Sequence, residues 1–80
     1  EELVEHLANV GPVGLSMRGQ MTSDKKDYYT AGHLIVGIGY RYIDGELYIV
    51  CNDPNVAEVE CMYSYNVFKN TWRNIAYIIE

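Results

Sequence analysis

The spacing of hydrophobic positions changes several times along the 80 residues, and each change marks an element. Leu3, Val4, Leu7 and Ala8 recur on one helical face, with Glu1, Glu2 and Glu5 where a helix dipole favours anions, which predicts a short N-terminal helix. Gly11-Pro12 stops it. In PVGLSM, Val13, Leu15 and Met17 alternate with small or polar residues, the period of a strand. From Arg18 to Thr30 neither period holds, and a polar surface loop is predicted there, with Tyr28 and Tyr29 as its large side chains near the end. From His33 to Tyr42 both alternating sets are apolar or small: Leu34, Val36, Ile38 and Tyr40 on one, His33, Ile35, Gly37 and Gly39 on the other. Such a strand belongs in the middle of a sheet. Gly37 and Gly39 weaken it unless another chain segment approaches closely on that side.

Asp44-Gly45 is a two-residue hairpin signal that needs positive φ, so Glu46 to about Asn52 returns as a paired strand until Pro54 ends regular pairing. After a loop through Val56 to Glu60, CMYSY predicts a short strand. Ser64 or Asn66 then caps a helix holding Val67, Phe68 and Trp72, and NIAYIIE closes the chain as a strand. This order predicts the α+β class, a small antiparallel sheet with helices packed on it.

Composition narrows the functional classes. Residues 1–80, 49% hydrophobic, suffice for a single domain with one small core, and a chain of this size is commonly steadied by a staple, a partner or the rest of a larger domain. A net charge of -5 with six scattered basic residues argues against nucleic acid as a partner. No window is apolar for the length of a membrane span, and EELVEHL lacks the basic start of a signal peptide. Cys51 and Cys61 do not have zinc-site spacing; they serve as buried thiols, or as a disulfide if the parent protein is secreted. No cofactor is expected. His6, offset from the Leu3/Leu7 face, is expected to be solvated, and Tyr40, Tyr42, Tyr48, Tyr77, Phe68 and Trp72 to pack in the core.

The chemistry concentrates on two segments, AGHLIVGIGY and YIVCNDP. They put His33 at the head of one strand and Asn52-Asp53 at the end of the next, the base and the orienting acceptor of a nucleophile-histidine-acid site. No cysteine precedes His33, so the nucleophile is expected on a segment outside these 80 residues. If the Asp44-Gly45 turn sets a regular register, partner numbers sum to 89: Asn52 faces Gly37 on the His33 side, and Asp53 faces Val36 on the other. Either Asn52 is then the orienter, or a bulge at the corner re-aims Asp53. In that register Cys51 points away from the His33 side. Taken without context, a histidine at a strand start is more often structural, and Asp-Pro more often a plain turn. Tyr28 and Tyr29 are placed to shape access to the site.

GPVGLSM, TAGHLIVGIGY, YIVCNDP and NVFKNTW followed by NIAYIIE, from about Leu3 to Ile79, resemble the C-terminal half of the C39-like cysteine peptidases, a group with a papain-like fold. The resemblance implies a cysteine on an N-terminal helix, His33 as general base and Asp53 as orienter. It also implies a peptide substrate, a missing N-terminal half as partner, and an exported or cell-surface bacterial setting. This chain departs from the family pattern in lacking the nucleophile, and Cys51, on a strand, has no helix N-terminus to activate it. A non-catalytic module that holds a peptide or cell-wall fragment is the competing function, and a homodimer formed through the open sheet face is a third possibility.

Overall fold

A computed structural model describes residues 2–56 and 60–78. Of the expected features, Glu1, residues 57–59 of the loop and the last two residues of NIAYIIE lie outside the described residues. The elements follow in the order α1 (Glu2–Asn9), β1 (Val13–Thr22), β2 (Asp27–Ile43), β3 (Glu46–Asn52), β4 (Cys61–Ser64), α2 (Tyr65–Thr71) and β5 (Trp72–Ile78). The strands form one antiparallel sheet ordered β4-β3-β2-β1-β5, with β2 central. Among the described residues, no helix is long and apolar enough to cross a membrane.

Both helices share the core on one side of the sheet, where Leu3 and Leu7 of α1 and Phe68 of α2 join Leu15, Met17, Met21, Ile35 and Ile49. Gly37 permits this packing: a Cβ there would lie 2.9 Å from Leu15 Cδ1 and 3.7 Å from Leu7 Cδ2. Among the described residues no helix packs on the opposite side, so β2 is central without being apolar-buried along both faces, and Leu34 there is exposed. Tyr77 lies beside it at Gly14, and Tyr42 at the hairpin end extends past the core; both are exposed rather than packed.

The stretch Arg18–Thr30 is not a loop. β1 continues to Thr22, β2 starts at Asp27, and the turn between them is closed by the Ser23 hydroxyl, which accepts from the Lys25 and Lys26 amides and donates to the Lys26 carbonyl. Its polar residues face outward while Met21 is fully buried. The Asp44-Gly45 turn forms as predicted, with φ of 51° and 81°. α2 ends at Thr71, so Trp72 opens β5 and meets Phe68 across the boundary with ring centroids 5.7 Å apart. Ser64 occupies the N-cap position, but its hydroxyl donates to Glu46. His6 is half-buried rather than solvated, and its Nε2 is sealed with no hydrogen-bond partner among the described residues.

Candidate active site

Two irregularities in β2 assemble the site. Near the Asp44-Gly45 turn the β2–β3 register is the regular one, with Tyr40 opposite Ile49. Between Gly39, opposite Val50, and Gly37, opposite Cys51, Ile38 is an extra residue. Val36 therefore faces Asn52, and Asp53 moves to the His33 side. The shift that re-aims Asp53 thus lies in β2, well before the corner. It also corrects the place of Cys51, which falls on the core side with His33 and Asp53 and is wholly buried.

The second irregularity faces β1. Met17 pairs with His33 and Gly19 with Thr30, which leaves Arg18 opposite both Ala31 and Gly32; the Gly32 amide donates to Thr30 Oγ1 at 3.2 Å. This extra residue turns Tyr28 to the same side as His33, whereas Tyr29 is exposed. β4, short as it is, adds Tyr63, whose side chain is buried next to Phe68.

These residues converge on Asp53, whose side chain is fully buried. His33 Nε2 lies 2.8 Å from Oδ1, and the Asn55 amide donates to the same oxygen at 2.9 Å. Oδ2 accepts from the Tyr63 hydroxyl at 2.7 Å and from the Tyr28 hydroxyl. Burial opposes ionisation of this carboxyl, but the bonds from Tyr28, Asn55, Tyr63 and His33 together outweigh it and hold it below the ordinary carboxylate range. Burial and the adjacent carboxylate push both phenols well above their ordinary value, so they stay protonated donors. With an acceptor at Nε2, the ring carries its proton there and leaves Nδ1 as the basic nitrogen.

His33 itself is not sealed. Its side chain is 19% exposed and borders an open cavity of about 400 Å³ lined by Ser16, Gly32, Leu34, Arg73 and Tyr77. A cavity of about 380 Å³ between α1 and β5, lined by Glu2, His6, Trp72 and Asn74 among others, shares no residue with it. Residues 1–79 match a family model described as the Peptidase_C39 like family. The chain belongs to that family. No curated protein and no solved structure matches it. A peptidase-related function follows at the level of the Peptidase_C39 like family, and with it the chemistry to be sought around His33.

Of the residues singled out in the sequence, His33 and Asp53 meet, whereas Asn52 is exposed and paired with Val36. Tyr28 bonds Asp53 instead of only flanking the site. Tyr63 was not singled out; the signal available was its place two residues after Cys61 in a short strand, because a buried phenol needs an acceptor. Cys51 and Cys61 are free, buried and directly opposed on β3 and β4, and burial raises both thiols above their ordinary pKa. Neither has the exposure of a nucleophile in this Peptidase_C39 like chain.

Proposed function

We propose that the chain is the histidine-aspartate lobe of a cysteine peptidase, with His33 as general base, Asp53 as its orienter, and the thiol supplied by a segment outside these 80 residues. The observation that carries this reading is the 2.8 Å contact between a partly exposed imidazole and a fully buried carboxylate, beside an open cavity. Nδ1 takes the thiol proton, and the thiolate attacks the peptide carbonyl. The imidazolium, steadied by Asp53, then returns the proton to the leaving amine as the acyl-thioester forms; water releases the acid and regenerates the thiol.

Supplying the cysteine-bearing segment gives thiol-dependent peptide hydrolysis on this reading. His33→Ala abolishes the hydrolysis without unfolding the chain, and activity that survives the substitution refutes the role of His33. The burial of both thiols favours a second reading, a non-catalytic module that holds a peptide or cell-wall fragment. The residue that docks at Nδ1 separates the two: cysteine gives an enzyme, serine or glycine a binder.

A further inference from the structure

We infer that Tyr28 is a positioning residue for the His33–Asp53 pair: with Tyr63 it occupies Oδ2 of the carboxylate, so that Oδ1 is presented to Nε2 of the imidazole and Nδ1 is not the nitrogen engaged by the carboxylate. Its catalytic consequence rests on the peptidase reading above; its geometric content does not.

A carboxylate with two equivalent oxygens turns about its last torsion unless its neighbours distinguish them. Here each oxygen has two donors of its own, the phenols on Oδ2 and the imidazole and Asn55 amide on Oδ1. The phenols differ in what else they touch. Tyr63 is sealed in the core against Phe68, with ring centroids 6.3 Å apart, and its bond to Asp53 is part of that core. Tyr28 is half-buried and meets the His33 ring edge-on, 6.1 Å between centroids at 80°, so it contacts both members of the pair.

Tyr28 is itself held in place. Lys26, two residues earlier, sets its ammonium 5.8 Å from the Tyr28 ring centre and donates to the Asn55 carbonyl at 3.0 Å. One short segment thereby fixes the phenol on Oδ2 and the residue whose amide is on Oδ1. The titratable groups acting on Asp53 are Tyr28, Tyr63 and His33 by hydrogen bond and the Cys51 and Cys61 thiols nearby, and Lys26 sits over the Tyr28 ring. In a regular strand Tyr28 and His33 would lie on opposite sides of β2; the extra residue at Ala31-Gly32 is what lets them share the carboxylate.

The test uses nuclear magnetic resonance of the 80-residue chain, with no thiol partner, on Tyr28→Phe and on replacement of Tyr28 by 3-fluorotyrosine, which keeps the shape and strengthens the donor. The titration midpoint of the Asp53 carboxyl carbon should move up in Tyr28→Phe and down with 3-fluorotyrosine. In Tyr28→Phe the neutral His33 ring should lose part of its Nε2–H signature in the nitrogen spectrum, while Tyr29→Phe moves neither signal. In the reconstituted hydrolysis assay Tyr28→Phe should lower kcat about tenfold with KM unchanged, the scale of one hydrogen bond to a charged group. Unmoved Asp53 and His33 signals in both variants overturn the assignment, whatever the hydrolysis assay gives. Moved signals with no hydrolysis by the parent chain uphold it and count against the peptidase reading alone.

Discussion

Asp53 accepts four hydrogen bonds on a side chain that is itself wholly buried, and this makes its ionisation a matter of stability as well as of chemistry. Its carboxyl is held below the ordinary range, so the folded state favours the charged form. The stabilisation is complete above the ordinary carboxylate pKa of about 4 and is lost as pH falls through the lowered folded value. Urea unfolding followed from neutral to acid pH should show this decline, and Asp53→Asn should flatten it while costing about 2 kcal/mol at neutral pH. Asn52→Ala, at an exposed position, should change stability by less than about 0.5 kcal/mol and leave the imidazole spectrum as it was. The same burial protects the two thiols. Alkylation of Cys51 and Cys61 should be slow in the native chain and fast in denaturant; rapid native labelling of Cys51 would contradict its placement.

The strands that deliver these side chains were partly legible in the sequence, and the limit has a physical cause. Alternation located the start of β1, an apolar run located β2 from His33 onward, and Asp44-Gly45 located the hairpin, because burial and positive φ leave direct marks on residue type. The second hairpin was hidden. Arg18, Gln20 and Thr22 face outward, Met21 alone supplies an apolar position, and the extra residue at Ala31-Gly32 breaks the period before it can be recognised. The choice between Asn52 and Asp53 stayed open for a similar reason: it depends on Ile38, whose extra place in the ladder has no mark except the glycines beside it. Those glycines are not equivalent. Gly37→Ala would drive a methyl group into buried Leu15 and should cost about 1–3 kcal/mol, whereas Gly39 has nothing within 4 Å of such a group and Gly39→Ala should be close to neutral. Thermal or urea unfolding of the two variants checks the contrast.

Over the molecule as a whole, among the described residues both helices lie on one side of the sheet and none on the other. Leu34 and Tyr77, 53% and 52% exposed, lie on that second side, opposite the one that carries the imidazole and the carboxylate. Leu34→Glu combined with Tyr77→Glu should leave urea unfolding of the isolated chain almost unchanged, within about 0.5 kcal/mol. Light scattering of the parent chain and the double variant tests whether that side joins two copies.

Tyr28 and His33 are an odd number of residues apart on one strand, and so are His33 and Tyr40, yet all three side chains point the same way. Spacing is therefore a constraint separate from residue identity. A related chain that keeps every one of these residues but lacks the extra place at Ile38 would carry an imidazole and a carboxylate on opposite sides of its sheet, and one that lacks the extra place at Ala31-Gly32 would turn its phenol away from both. Counting the interval, and not only matching the letters, is what tells a working relative from a lookalike.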